Sequence, residues 1–228
     1  MNARGLIACA WATAALNAAA QSYPSRAIRV VIPYPPGGGS DMLIRPIAAR
    51  VSESIGQQFI MDNRLGGGSV IGTQLTARSA PDGYTALIVD LAYYANPALL
   101  AKLPYDSVRD LVPVVNLASS TAILVVHPSL PARKAAVPNV PTFTKAGLSG
   151  IEATTHRGLL VAAGTHADAI AKLNTEFNKA LANAALRTRL DELGYDPTGG
   201  GIDDYVKVVR AEIAKWDGVI RKANIRVE

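Results

Sequence analysis

Cysteine is almost absent from this 228-residue chain, since the single one, Cys9, lies within the first 20 residues. Residues 21–228 therefore contain no thiol that could form a disulfide, bind a metal as a thiolate or act as a nucleophile. Histidine is also scarce, and His127, His156 and His166 lack the spacing of metal ligands. The sequence thus predicts no metal site and no cofactor.

Charged residues make up only 18% of the chain, and its lysines and arginines are scattered instead of being gathered into a run. The formal net charge of +5 carries little information without such a basic stripe. We therefore expect no nucleic-acid partner. The apolar fraction of 49% is ordinary for a globular protein, and the length allows one large or two small domains.

The N-terminal apolar segment, Gly5 to Leu16, is too short to span a membrane, which takes about 20 consecutive apolar residues. Arg4 precedes this segment, and three alanines follow it just before Gln21. A basic head, an apolar core and a small-residue end are the features of a secretory signal peptide. We interpret residues 1–20 as such a peptide, which predicts export and a soluble periplasmic product.

Nucleotide-binding signatures are incomplete in the glycine-rich segment that starts at Gly66. Ile71 stands where a dinucleotide fingerprint beginning at Gly66 would have its third glycine. Gly67 and Gly72 have the spacing of a P-loop, but Thr73 occupies the position of its lysine. The segment therefore does not predict a nucleotide site.

The first predicted strand, at 27–32, ends abruptly in a loop of prolines and glycines. The loop contains Pro33, Pro35, Pro36, Gly37, Gly38 and Gly39. Ser40 or Asp41 can cap the helix predicted at 42–55. Free loop amides and the positive end of the helix dipole would together form a receptor for anionic oxygens.

The chain then repeats this arrangement. A second strand, at 58–62, leads to Gly66–Ser69 and a helix at 69–79, and a third strand, at 84–89, leads to a loop at 90–95. Three such units predict a mainly parallel sheet covered by helices. Their loops should face one another at the carboxyl edge of the sheet, where open α/β folds bind ligands.

The second half of the chain is predicted to be mostly helical after two further strands. The strands are expected at 111–115 and 122–126, and a domain boundary is expected between Ser129 and Pro141. Apolar residues at helical spacing then predict three helices, of which the last runs from about Asp203 to Ala223 and can be capped by Asp203 or Asp204.

Many ordered motifs carry a family resemblance over nearly all of residues 22–228. They include Tyr23-Pro24-Ser25-Arg26, Asp62-Asn63-Arg64, Ala80-Pro81-Asp82-Gly83-Tyr84-Thr85, Asn96-Pro97-Ala98-Leu99, Lys102-Leu103-Pro104-Tyr105-Asp106, His127-Pro128-Ser129 and Ala163-Gly164-Thr165. With the segment IRVVIPYPPGGGSD at 28–41, the chain strongly resembles the tripartite tricarboxylate transporter receptors, also called the Bug or TctC-type family.

The resemblance implies a periplasmic-binding-protein-like (type II) α/β fold, with a doubly wound first lobe, and C-terminal helices that pack back on it. It also implies a receptor, not an enzyme, that captures a small carboxylate or acidic amino acid and delivers it to the membrane permease subunits of a transporter. The implied ligand-binding residues are Tyr34, Pro36, Gly37, Gly38, Gly39, Ser40, Asp41, Gly66, Gly67, Gly68, Ser69, Asp90, Leu91 and Ala92.

The chain departs from the family pattern in two places. Asp90 is acidic where the family loop is usually small and hydroxyl-bearing, so it would repel a second carboxylate or accept an amino group. Most of the second lobe has no counterpart after about residue 132. We therefore predict a first lobe at 21–126 and a truncated second lobe with C-terminal helices at 127–228, and we expect uncovered apolar surface around Val125, Leu159 and Leu160.

Two alternatives to transport follow from the sequence. The shortened second lobe is compatible with a non-transporting remnant or an interaction protein. A small exported serine hydrolase would use Ser40 or Ser69, but neither serine lies in a Gly-x-Ser-x-Gly elbow.

Overall fold

A computed structural model describes residues 23–121 and 154–225. The predicted signal peptide, the predicted strand at 122–126 and the predicted boundary between Ser129 and Pro141 lie outside these residues. In the described ranges, no helix combines the length and the apolar character that crossing a membrane requires.

Strands and helices alternate in the first half of the described chain. The strands are β1 (Ile28–Ile32), β2 (Phe59–Asn63), β3 (Thr85–Val89), β4 (Leu111–Thr121), β5 (Thr154–Ala162) and β6 (Asp196–Pro197). The helices are α1 (Gly39–Ile55), α2 (Val70–Ala77), α3 (Leu91–Leu99), α4 (Ala167–Leu181), α5 (Ala184–Glu192) and α6 (Ile202–Lys222). The first three predicted strands agree with β1 to β3 within one residue at each end.

All six strands form one sheet, in the order β2-β1-β3-β5-β4-β6. β1 pairs in parallel with both β2 and β3, whereas β5 is antiparallel to β3 and β4, and β6 is antiparallel to β4. The prediction of a mainly parallel sheet is therefore right only for its first three strands. β5 was not predicted at all; it lies between β3 and β4 and brings the C-terminal part of the chain into the centre of the sheet.

One face of the sheet packs against α1 and α4. Ile28, Val30 and Ile32 of β1 point to this face and are fully buried with Leu43 of α1 and Phe177 of α4. Because successive side chains of a strand point to opposite faces, the intervening Val31 enters a second core. Burial on both faces explains why β1 is apolar at every position except Arg29.

The other face of the sheet packs against α3 and α6, where Tyr93, Tyr94 and Tyr205 are almost completely buried. β5 contributes to both cores, since Leu159 belongs to the first and Leu160 to the second, and neither is exposed. The expectation of uncovered apolar surface is therefore wrong for these two leucines, because helices pack on both faces of the sheet. Val125 lies outside the described residues.

Several predicted helix ends differ from the structure. α1 begins at Gly39 instead of 42, and its N-cap is Gly38, not Ser40 or Asp41. The helix continues through Pro46 and ends at Gly56, whose left-handed φ of 72° suits a C-cap glycine. The N-cap of α6 is Gly201, so Asp203 and Asp204 lie in its first turn. Their negative charges interact favourably with the helix dipole there, but neither residue caps the helix.

The predicted third loop at 90–95 is instead the start of α3. The carboxylate of Asp90 caps this helix by accepting a hydrogen bond from the amide of Ala92 at 3.2 Å. α6 packs on α3, and α4 packs on α1, so the C-terminal helices cover the N-terminal βα units. The division of the chain at residue 126 stays a prediction, because that residue lies between the described ranges.

Candidate functional site

The ends of β1 and β3 lie side by side, and the residues that follow them meet. The hydroxyl of Tyr34 donates a hydrogen bond to Oδ1 of Asp90, and Oγ of Ser40 lies 3.4 Å from Oδ2 of the same carboxylate. Burial, together with the negative charge of Asp90, raises the pKa of Tyr34 well above its ordinary value. Tyr34 therefore stays a protonated donor, and both oxygens of Asp90 have partners within the protein.

Asp41 holds the first glycine loop in place. Its carboxylate is 4% exposed and accepts hydrogen bonds from Nε and Nη2 of Arg45, both at 2.7 Å, and from the amide of Gly37 at 2.9 Å. Nδ2 of Asn63 lies 3.2 Å from it. The pKa of Asp41 is lowered to about 2, chiefly by the hydrogen bonds from Arg45. Its oxygens are thus occupied in shaping the loop.

The second glycine loop adopts a left-handed backbone throughout. The φ angles of Gly66, Gly67, Gly68 and Ser69 are 127°, 58°, 58° and 78°. A serine in this region is uncommon, and Ser69 is almost fully buried. Nδ2 of Asn96 fixes the loop by donating a hydrogen bond to the carbonyl of Gly68 at 2.8 Å. Asn96 was part of a recognised motif but was not predicted to belong to the site.

Arg157 of β5 is the main site residue that the sequence did not reveal. Nη1 donates a hydrogen bond to Oγ of Ser120 at 2.6 Å, and the guanidinium lies 5.3 Å from the centre of the Tyr195 ring. Nη2 of Arg157 is also close to Gly39, since a Cβ atom built onto this glycine would lie 3.7 Å from it. The guanidinium therefore lies beside the first residue of α1, where the helix amides and the dipole already favour an anion.

Within the described ranges, Nε of Arg157 is buried and has no hydrogen-bond partner. Leaving a buried donor of a charged group unpaired is costly, so a ligand that accepts hydrogen bonds would stabilise this position. No pattern in the sequence indicated this role of Arg157.

A groove of about 970 Å³ lies next to the second glycine loop. Its lining includes six predicted site residues, namely Tyr34, Gly67, Gly68, Asp90, Leu91 and Ala92. The remaining lining residues are Val70, Ala95, Asn96, Leu99, Leu100, Lys102, Trp216, Ile220 and Ile225. The other predicted site residues, Pro36 to Asp41 with Gly66 and Ser69, do not line it. The predicted set is thus divided between this groove and the start of α1.

Among the described residues, neither candidate nucleophilic serine is paired with a histidine. Ser40 contacts Asp90, and Oγ of Ser69 lies 3.4 Å from Nδ2 of Asn96. Nδ1 of His156 lies 3.2 Å from Nδ2 of Asn116, and burial lowers the pKa of this histidine. His127 is outside the described ranges. Residues 23–121 and 154–225 also contain no group of three His, Cys, Asp or Glu side chains placed to hold a metal ion.

Comparison of the sequence with known families gives a match in two segments. The profile of the family described as "Tripartite tricarboxylate transporter family receptor" matches residues 43–134 and 131–225. The UPF0065 protein in the tcbD-tcbE intergenic region of Pseudomonas sp. (strain P51) is 27% identical over 291 aligned positions, which cover 87% of each chain. This alignment is longer than the 228 residues of the present chain, so the relative contains segments that this chain lacks.

Other relatives match a smaller part of their own length. BugT of Bordetella pertussis is 40% identical over 123 residues, which are 52% of this chain and 38% of BugT. The UPF0065 protein in the gbd 5' region of Cupriavidus necator is also 40% identical, over 57% of this chain and 41% of that protein. The chain thus spans less than half the length of these two relatives.

Solved structures share the fold over most of the described chain. A periplasmic transporter superposes with a TM-score of 0.83 and 25% identity, covering 91% of this chain and 100% of that one. Rpa4515 of R. palustris, solved with adipate, has a TM-score of 0.83 at 24% identity, covering 90% and 100%. MatC of Rhodopseudomonas palustris, solved with malate, has a TM-score of 0.80 at 23% identity, covering 87% and 100%.

Proposed function

Because the chain belongs to the tripartite tricarboxylate transporter receptor family, we propose that it is a solute-binding receptor for a small carboxylate. The fold, a mixed α/β sheet covered by helices, is the one found in solved periplasmic binding proteins. Two of the similar structures were solved with carboxylates, adipate in one and malate in the other. These neighbours support the ligand class and leave the particular solute open.

The observation that carries the proposal is the position of Arg157 beside the start of α1. A carboxylate at this point would accept hydrogen bonds from the first amides of the helix and from the guanidinium of Arg157. Hydrogen bonds to charged groups are each worth about 1.5–3 kcal/mol, more than those between neutral groups. Tyr195 supports the arrangement, because its ring lies under Arg157 and its hydroxyl contacts the carbonyl of Gly39.

The polar contacts of Ser40 and Ser69 favour a receptor over a hydrolase. A serine nucleophile needs a base within hydrogen-bonding reach. The amide of Asn96 beside Ser69 is not a base, and the carboxylate of Asp90 beside Ser40 already accepts hydrogen bonds from Tyr34 and from the amide of Ala92. The proposed function therefore involves capture and release of the solute without covalent chemistry.

We further propose that the protein acts in the periplasm and delivers its solute to membrane permease subunits. The family description, a transporter receptor, supports this role. Export would depend on residues 1–20 as a signal peptide, and N-terminal sequencing of the secreted protein should find Gln21 as the first residue. An unprocessed chain that begins at Met1 and stays in the cytosol would contradict this part of the proposal.

A shortened second lobe should make binding weak. Tight binding in two-lobed receptors depends on closure, which excludes water and strengthens each hydrogen bond to the anion. On an open lobe a carboxylate competes with bulk water, and association alone costs several kcal/mol. We therefore expect millimolar affinity, and no measurable affinity at all if the chain is a remnant that no longer transports.

Thermal unfolding and calorimetry of the purified full chain test the proposal. Malate, adipate and glutamate should raise the unfolding temperature increasingly as their concentrations exceed their dissociation constants, because a ligand that binds only the native state stabilises it. The neutral diamide of adipate serves as the matched control and should have no effect. Micromolar binding would overturn the open-lobe argument, and the absence of any carboxylate effect up to tens of millimolar would favour the non-transporting remnant.

A further inference from the structure

The groove beside the second glycine loop is larger than a small dicarboxylate needs. Its volume of about 970 Å³ lies at the upper end of the range for sites that hold drug-sized ligands. α3 contributes Leu91 and Leu99 to its walls, the C-cap of α3 contributes Leu100, and α6 contributes Trp216 and Ile220. These side chains can bury an apolar group, and they offer little to a second carboxylate.

Few of the described residues that line the groove are charged. Among them, only Asp90 and Lys102 carry a formal charge. Asp90 lies at the end next to Tyr34, where its negative charge would repel a carboxylate inserted deeply into the groove. Lys102 is exposed, so its charge is largely screened by solvent.

Tyr34 connects the groove to the proposed anion site. Tyr34 lines the groove, and its hydroxyl donates a hydrogen bond to the carboxylate of Asp90. Ser40, the second residue of α1, contacts the same carboxylate. A solute with one carboxylate at the start of α1 could therefore extend past Tyr34 into the apolar groove. Malate, with only four carbons and two carboxylates, could not fill such a space.

We propose that the solute is a monocarboxylate with an apolar body, bound with its carboxylate at the start of α1 and its body in the groove between α3 and α6. This inference rests on the proposed function, since it specifies the solute class of the same site. It distinguishes this chain from the structural neighbours that were solved with the dicarboxylates adipate and malate.

Hexanoate, adipate and hexanamide form a matched set of six-carbon probes for calorimetry on the full chain. Adipate adds a second carboxylate to hexanoate, and hexanamide removes the negative charge. We expect hexanoate to bind at least tenfold more tightly than either of the others. From butyrate through hexanoate to octanoate, each further buried methylene should increase affinity about three- to fourfold.

The failures of the two proposals are distinguishable. If adipate or malate binds and hexanoate binds more weakly, the solute-class inference is wrong and the receptor function stands. In that case Lys102 would be the obvious partner of the second carboxylate. If none of these carboxylates binds, both proposals fail. Equal binding of hexanoate and hexanamide would show that the groove takes apolar molecules without regard to the carboxylate.

Polar substitutions in the groove test the location. Leu91→Gln and Leu100→Gln place an amide at two positions of its α3 wall and should each lower hexanoate affinity about five- to tenfold. Ile60→Gln is the matched control, because Ile60 is 56% exposed on β2 and does not line the groove. Circular dichroism confirms that each variant is folded. If both groove variants fold and bind hexanoate as tightly as the natural chain does, the proposal is overturned. That result is expected if another part of the chain fills the groove.

Discussion

The hydroxyl of Tyr195 donates a hydrogen bond to the carbonyl of Gly39, 2.9 Å away, although the two residues are 156 positions apart in the chain. Gly39 is the first residue of α1, so this bond connects the C-terminal part of the chain to the first glycine loop. The approach is close enough that a Cβ on Gly39 would lie only 2.9 Å from the same hydroxyl. The C-terminal segment is thus part of the candidate site.

Tyr195→Phe should remove this hydrogen bond and leave the ring under Arg157. We expect the free energy of unfolding to fall by about 0.5–1.5 kcal/mol, the usual net value of one hydrogen bond. Urea denaturation measures the change. Tyr195→Ala should cost more, because it also removes the buried ring and its contact with the guanidinium. Equal losses for the two variants would show that the ring contributes nothing.

Arg157→Gln should reduce carboxylate affinity about tenfold or more, since it removes a charge-assisted hydrogen bond to the anion. Arg157→Lys should restore part of the affinity, because lysine keeps the charge but lacks the planar fork that stacks on Tyr195. Arg189→Gln is the matched control, as Arg189 is exposed on α5 and pairs with Glu192 at 3.2 Å. Calorimetry with the carboxylate that binds best gives the comparison. An equal loss in the control would contradict a role for Arg157 in binding.

The strands β1 to β3 could be predicted because their information is local. Each contains a short apolar run, and these runs are followed by Pro33, Asp62 and Asp90, respectively. Short apolar runs bounded by turn-forming residues are typical of strands. The first turn of α3 was missed for a local reason as well. No glycine follows Asp90, and an aspartate before an apolar segment is a typical N-cap, which was available as a signal.

β5 and Arg157 could not be predicted in the same way. The first half of β5 is Thr154-Thr155-His156-Arg157, which lacks the apolar pattern of a strand. It forms a strand because β4 pairs with it, with Ala118 opposite Arg157. The contact of Arg157 with Ser120 and its stacking on Tyr195 depend on that pairing, so the position of the guanidinium is a tertiary property of the fold.

Gly158→Ala should destabilise the protein strongly. A Cβ at this position would lie 2.0 Å from the hydroxyl oxygen of Tyr205 and 2.2 Å from its ring carbon Cζ, and Tyr205 is fully buried. Because neither side can yield without moving α6, we expect a loss of about 1–3 kcal/mol or more. Gly218→Ala is the matched control, since nothing lies within 4 Å of its added Cβ. That helical position should gain about 0.5–1 kcal/mol. Similar urea midpoints for the two variants would refute the packing argument.

Glu176 should make the stability of the protein fall at acidic pH. It is 2% exposed and accepts hydrogen bonds from Lys179 at 2.9 Å, Lys172 at 3.1 Å and Ser54 at 2.9 Å. These bonds, that of Lys179 foremost, lower the pKa of Glu176 to about 2 from an ordinary value of 4.5. Protonation thus favours the unfolded chain, and the stabilisation is fully present above pH 4.5 and lost as the pH falls towards 2.

Glu176→Gln isolates this contribution from that of Asp41, whose pKa is also about 2. We expect the variant to be less stable than the natural chain by about 1–2 kcal/mol at pH 7, a value reduced by the solvent exposure of both lysines. The difference should shrink steadily between pH 4.5 and 2, because the natural side chain also becomes neutral there. Glu53→Gln changes an exposed glutamate that pairs with Arg50 on α1 and should alter stability by less than about 0.5 kcal/mol. Urea unfolding of the natural chain and the two variants from pH 7 to pH 2.5 provides the test. If the difference in stability between Glu176→Gln and the natural chain stays constant over this range, the carboxylate charge contributes nothing to stability.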